Sequence, residues 1–296
     1  MPEPTQGPAG AIHDIGYRHY DGPRLGAASI RRALFVETLR GVFGLGRSAR
    51  SKVMPFLLLA VMVLPAAAIG IVTGYFGFTQ LPLGYTSYTF AFQVVISVFV
   101  GSQAPAAISR DLRFRVAPLY FSRPLSRHQY VQAKYAGMAT ALFILVALPI
   151  TVLLVGALLA ELPVGDQLPD YLRAMGGAAV LAVLLAGIGL VVAAMTPRRG
   201  LGVAAVVGVL LVLSGIQATV RAMAEELGSA TFAGYAGLLS PVTLVDGVVA
   251  VPLGGDSVMA TPPQGALMGA VFCAVAVLVV VGCWAALVLR YRKALA

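Results

Sequence analysis

Ser109-Arg-Asp-Leu-Arg-Phe-Arg-Val-Ala-Pro-Leu-Tyr-Phe-Ser-Arg-Pro-Leu-Ser-Arg-His-Gln-Tyr-Val-Gln-Ala-Lys134 is a basic, aromatic-bearing interruption between two long apolar runs. The runs beside it suit lipid and the stretch itself suits water. Across the chain of 296 residues, 59% are hydrophobic and 11% charged, with mean hydropathy +0.88. A soluble domain carries about 25% charged residues, so the deficit points to an integral membrane protein. The net charge of +9 then reads as a topology signal rather than a nucleic-acid footprint.

Working outward, six apolar runs lie at about 53–74, 88–108, 136–160, 171–195, 201–220 and 267–289. Each holds roughly 20 residues, enough for a helix to cross about 30 Å of hydrocarbon. Continuous runs of this length argue helices rather than a barrel. The expected fold is an all-α integral membrane protein with six transmembrane helices. Residues 1–52 form an N-terminal segment and 53–296 the transmembrane domain.

Charge assigns the orientation. Nineteen of the twenty-one Lys/Arg fall in residues 1–52, the 109–135 loop, the Thr196-Pro-Arg-Arg-Gly200 loop and the tail after 289. The other connections hold only Arg173 and Arg221, with seven of the twelve acids. The positive-inside rule puts both termini in the cytoplasm. Residues 1–52 hold no apolar stretch of the signal-peptide kind, so this segment is expected to stay cytoplasmic.

Residues 1–10 are Pro/Gly-rich and read as disordered. His13 and His19 match no helical metal-ligand spacing. Residues 29–50 read as an amphipathic interfacial helix, with Phe35, Leu39, Val42 and Phe43 on one face and attraction to anionic lipid from the basic side. Ser240-Pro-Val-Thr-Leu-Val-Asp-Gly-Val-Val-Ala-Val-Pro-Leu253 is apolar but too short to span. Ser240 suits an N-cap and Pro241 the first helical position. Asp246 at bilayer centre would cost about 2.5–3.5 kcal/mol, so this helix is expected in the outer leaflet.

The spans carry no charge at their middles, where ion-coupled carriers keep theirs. Thr89, Gln93, Ser97 and Gly101 share one face of the second span, and Ser214, Gln217, Ala218 and Arg221 recur at the end of the fifth. Two readings apply to these stripes: interhelical packing, or contact with a solute along a path through Thr89, Gln93, Ser97, Ser214 and Gln217. Gly70-Ile-Val-Thr-Gly74 matches GxxxG. Cys273 and Cys283 fit no zinc or redox spacing and read as buried, inert thiols. There is no phosphate loop: Gly41-Val-Phe-Gly-Leu-Gly46 lacks the closing Lys-Ser/Thr. With no catalytic motif, the chain is expected not to be an enzyme and to bind no cofactor or metal itself.

Within the 109–134 stretch, Leu112, Val116 and Leu119 line one face of a short helix bearing Arg110, Arg113 and Arg115. Pro118 kinks or splits it. Ser126-Arg-His-Gln129 is a capping box, with Leu125 and Tyr130 placed as a hydrophobic staple. The third span's helix therefore starts in the cytoplasm, with Lys134 snorkelling to the interface. The loop is then either a rigid docking elbow or a simple topology determinant.

Three stretches resemble the permease subunits of ABC-2-type transporters, notably the actinobacterial branch: Ile12 to Gly26, Ser109 to Arg127 with Tyr130 and Lys134, and Leu239 to Gly247. The resemblance covers essentially the whole chain. It implies a bacterial plasma-membrane transport subunit, an exporter, without its own ATPase site. It also implies that the loop holds a coupling helix docking on a separate ATPase, through Arg110, Asp111, Leu112, Arg113, Val116, Leu119, Tyr120, Arg123, Ser126 and Arg127. The implied partners are two ATP-binding subunits carrying ATP and Mg, and a second permease copy or paralogue. Two other functions fit the sequence: a stand-alone secondary carrier or channel, and a non-transporting membrane subunit of an ATPase-containing complex.

Overall fold

In a computed structural model, residues 21–22, 26–113, 125–196 and 199–293 are described, with side chains omitted at 109–113, 199 and 293. The described residues are helical with no strand. In chain order the helices are α1 (Ala27–Val42), α2 (Ala49–Phe76), α3 (Tyr85–Ala91), α4 (Gln93–Arg113) and α5 (Arg127–Leu159). They continue as α6 (Val164–Met195), α7 (Arg199–Glu226), α8 (Ala230–Ala236), a 3-10 turn Gly237–Leu239, α9 (Pro241–Ala250) and α10 (Ala266–Lys293).

By length and composition α2, α5, α6, α7 and α10 can each cross a membrane. Counted as one span, α3 and α4 make the sixth, bent by 59°. The chain is thus a multi-pass, helical membrane protein. Helix lengths exceed those of the apolar runs. The 33 residues of α5 correspond to about 50 Å at 1.5 Å per residue, because its amphipathic first turns continue the same helix beyond the apolar segment.

The second span is not the single helix expected over 88–108. It breaks at Phe92, where the sequence has neither Pro nor Gly, the usual causes of a kink. At the break the side chains of α3 bond to neighbouring helices. The Tyr88 hydroxyl, fully buried, donates to the Met62 carbonyl of α2. The Tyr85 hydroxyl donates to Gln167 Oε1 of α6 at 2.8 Å. These bonds pin α3 to its neighbours, and α4 starts again at Gln93 on a new axis.

Helices α5 and α6 form the hub. In the most apolar window of α6, 61% of residues are buried within the protein, against 17% for α7 and for α10. Lipid tails are as apolar as Leu, so helices in a membrane associate through close packing rather than hydrophobic expulsion. The closest approach joins α2 to α5: a Cβ on Gly70 would stand 2.7 Å from the Gly156 Cα, and one on Gly156 equally close to Gly70. Gly74 faces Ala160 in the same seam. The GxxxG of the sequence is therefore spent on a crossing inside the chain.

The expected face of helix α1 turns inward, with Val42 and Phe43 buried, and Leu34 and Thr38 join it. Leu34, Thr38 and Val42 are its buried line, with Phe35 and Leu39 half-buried beside them. It lies against the first turns of α5, where a Cβ on Gly137 would meet the Thr38 side chain at 2.8 Å. Thr38 satisfies its hydroxyl by donating to the Leu34 carbonyl at 2.7 Å, which lets a polar residue occupy the packed face.

The charges separate to the two ends of the bundle. One end gathers α1, the turn to α2, the start of α5 and the end of α10, with Arg32, Arg40, Arg47, Arg127, Arg290 and Arg292. The other gathers Glu161, Asp166, Asp170, Glu225, Glu226 and Asp256 with Arg173 and Arg221. At this acidic end Tyr75, Phe76 and Phe78 are exposed and in ring contact, 5.1 and 6.0 Å between successive centroids. Exposed aromatics at a helix end are the composition of a membrane-interface belt.

Candidate functional site

The basic end is built on the start of α5. Ser126 Oγ accepts from the Gln129 N–H at 3.3 Å, and Gln129 Oε1 accepts from the Ser126 N–H at 3.0 Å. This reciprocal pair is the capping box expected from sequence. Leu125 and Tyr130 are both buried, so the staple positions are filled. Such a cap satisfies two otherwise orphaned donors and fixes where the chain enters the bundle.

Helix α10 closes over this start. Tyr291 packs edge-on against Tyr130 with centroids 5.0 Å apart, and Trp284 meets His128 at 5.4 Å. Arg290 Nε donates to the Ala194 carbonyl at the end of α6. Lys134 departs from expectation: it is buried rather than snorkelling, 5% exposed. Its Nζ donates to the Ala107 carbonyl at 3.2 Å and lies 5.8 Å from the Tyr130 ring centre. Helix α4 passes close enough to capture the ammonium before it reaches the surface.

The coupling residues divide. Arg110, Asp111, Leu112 and Arg113 lie on the last turns of α4, which continues through Arg113. Val116, Pro118, Leu119, Tyr120 and Arg123 lie outside the described residues, as do His13 and His19. Ser126 and Arg127 are exposed at the head of α5.

Thr89 lies on α3 and Gln93, Ser97 and Gly101 lie on α4. The break at Phe92 separates Thr89 from Gln93. Ser97 is buried and donates to the Gln93 carbonyl at 2.8 Å. Gly101 sits in a crossing with α7, where an added Cβ would meet Val207 at 2.5 Å. Packing therefore accounts for Ser97 and Gly101. On α7, Ser214 Oγ lies 3.2 Å from Ser240 Oγ. Gln217 is 5% exposed and its Nε2 has no hydrogen-bond partner among the described residues.

The feature missed from sequence is the setting of α9. Pro241 does open the helix and Ser240 is its N-cap residue, but the Ser240 hydroxyl makes no cap; it is turned toward Ser214 instead. The helix is packed within the protein: eight of its residues are buried, from Pro241 through Val249. Gly247 makes this possible, since a Cβ there would fall 2.2 Å from the Phe272 ring of α10. Asp246 is buried and holds the following loop, accepting from Ser257 Oγ at 2.5 Å and the Val258 N–H at 3.1 Å. Burial pushes its carboxyl above the ordinary range despite these bonds, which act to lower it. The cost foreseen for Asp246 in lipid is avoided because loop donors replace water.

Asp246 also lines a small hollow of about 30 Å³ with Thr86 and Thr89 of α3 and Gly177 of α6. A polar cleft of about 450 Å³ at the acidic end shares Thr86 with this hollow and is lined by Tyr85, Asp166, Asp170, Arg173 and Asp256 among others. Arg173 is held there by Asp170 at 2.8 Å and by the Leu253 carbonyl at 3.1 Å. Cys273 and Cys283 are half-buried and unbridged on α10, less enclosed than expected. Neither a protein-family model nor a curated protein matches this chain.

Proposed function

We propose that this chain is the membrane-spanning permease subunit of an ATP-driven, ABC-2-type transporter, acting as an exporter in a bacterial plasma membrane. Six spans, both termini in the cytoplasm and α1 at the inner surface are the topology of this reading. The segregation of Lys/Arg to one end of the bundle supports it through the positive-inside rule. Two ATP-binding subunits, carrying ATP and Mg, and a second permease copy or paralogue complete the assembly.

The observation that carries the reading is the fixed start of α5. The Ser126–Gln129 box anchors the end of the 109–127 loop to Tyr130 and, through it, to Tyr291 of α10. A push received on that loop by a docked ATPase would pass into packed helices rather than dissipate in a slack connection. Arg113→Glu or Leu119→Asp should leave insertion intact and abolish both co-purification with the ATPase and stimulation of its turnover. Variants that retain a fully stimulated ATPase would overturn the docking role.

A second reading, a stand-alone carrier, is favoured by Asp246. It is a buried carboxyl lining a small hollow that shares Thr86 with a polar cleft, and buried ionisable groups in membrane chains commonly serve proton or ion relays. Solute uptake by the purified chain in liposomes, driven by a proton gradient without any ATPase, would establish that reading in place of the first.

A further inference from the structure

Two adjoining hollows lie at the basic end, where α1 turns into α2. One, about 80 Å³, is enclosed between α1, α4 and α5, with Arg47, Gln103 and Lys134 in its lining. The other, about 690 Å³, runs along α1 past Arg32 and Arg40. They share Glu37, Gly41 and Arg47. The inner hollow is built rather than superficial: Lys134 is 5% exposed and Gln103 6%.

The turn that shapes the site is fixed. Gly44 and Gly46 take φ of 67° and 83°, conformations that favour glycine. A Cβ on Gly44 would lie 2.5 Å from the Ser51 carbonyl oxygen. The Leu45 N–H donates to the Arg40 carbonyl at 2.8 Å. Arg47 then folds back over α1, where a Cβ on Gly41 would stand 3.4 Å from its Nη2. Among the described residues lining the two hollows, the charges are Arg32, Arg40, Arg47 and Lys134 against the one carboxylate of Glu37.

We propose that this elbow is a binding site for a phosphate group, supplied by the headgroup of an anionic phospholipid. Basic pockets between helices at the inner membrane surface bind such headgroups, and the guanidinium fork matches phosphate oxygens two at a time. Lipid is favoured over soluble phosphate because Val36 and Leu45, both exposed, lie on the wall of the outer groove. Acyl chains can rest there while the phosphate reaches Arg47. The site requires a membrane chain with this end at a lipid surface, and it is independent of any ATPase.

The test uses the full chain in nanodiscs of phosphatidylcholine with a small fraction of phosphatidylglycerol, reading retained phosphatidylglycerol by native mass spectrometry after detergent release. Arg40→Gln with Arg47→Gln should lower retention by about fivefold per arginine removed. Arg32→Gln alone should lower it by about fivefold. Arg292→Gln, at the same end but outside the hollows, should retain as much as the unaltered chain. All four side chains are exposed, and a thermal melt checks that each variant is folded. Unchanged retention in the double variant, or an equal loss in Arg292→Gln, would overturn the site. Displacement of the lipid by millimolar inorganic phosphate would overturn phospholipid as its source.

Discussion

The two ends of this bundle are closed by different means. At the basic end, helices meet directly: Tyr130 on Tyr291, Lys134 on the Ala107 carbonyl, and a capping box at the head of α5. At the acidic end a loop is the closure. Residues 251–259 are tied down by the buried carboxyl of Asp246 through Ser257 and Val258, by Arg173 on the Leu253 carbonyl and by the Gly255 N–H on the Val249 carbonyl, beside a polar cleft. The difference locates rigidity and access. A force applied at the basic end reaches several helices at once, whereas at the acidic end the closure is a loop held by a few hydrogen bonds.

The largest expected effect tests the packing under that loop. Gly247→Leu places a side chain inside the Phe272 ring and should destabilise the protein by about 3 kcal/mol or more. This would be read as loss of folded protein or a sharp fall in melting temperature in detergent. A melt within a degree of the unaltered chain would show that α9 is not wedged against α10.

Next, Asp246→Ala strands the Ser257 hydroxyl and the Val258 N–H. The loss should be about 1–3 kcal/mol, with protease cleavage appearing between 251 and 259. The same residue sets a pH dependence. Its carboxyl is held above the ordinary value of 3.8, so the protonated form is the one that folding favours. That contribution is fully present below 3.8 and is lost as pH rises through the raised value. Asp246→Asn should flatten this part of the melting-temperature profile, and an unchanged slope would assign it elsewhere.

At the other end, Ser126→Ala removes one half of the capping box and should cost about 1 kcal/mol. Because Leu125 and Tyr130 stay buried, hydrogen exchange should rise in the first turn of α5 only; exchange spreading into α10 would show the basic end to be less well tied than its contacts imply. The smallest effect falls between the two ends. Gln217→Leu replaces a buried amide whose Nε2 has no partner among the described residues and should be neutral or mildly stabilising. A clear loss of stability would reveal a partner for that amide, and a loss of transport alone would put it on a solute path.

The features read correctly from sequence are those set by near neighbours in the chain. The Ser126–Gln129 box depends on an i, i+3 spacing, and Pro241 depends on its own fixed φ. The apolar runs gave the spans because only an intrahelical ladder satisfies their backbone in lipid. The break at Phe92 was not legible, and the partners of the α3 side chains beside it lie on α2 and α6, at Met62 and Gln167. The burial of Lys134 depends on Ala107, and the seating of α9 on Phe272. The stripe through Thr89 and Gln93 was legible as a pattern, but the 59° bend between them is not contained in it.

Sequence alone determined the helical class, the approximate spans, the polarity of charge along the chain and the start of α5. Each follows from local hydropathy or local hydrogen bonding, which no distant residue can easily reverse. Tertiary structure decided that GxxxG serves an internal crossing, that Lys134 and Asp246 are buried rather than facing a membrane surface, and that α1 packs through Thr38. In each case the outcome rests on which backbone or ring another helix brings within contact distance.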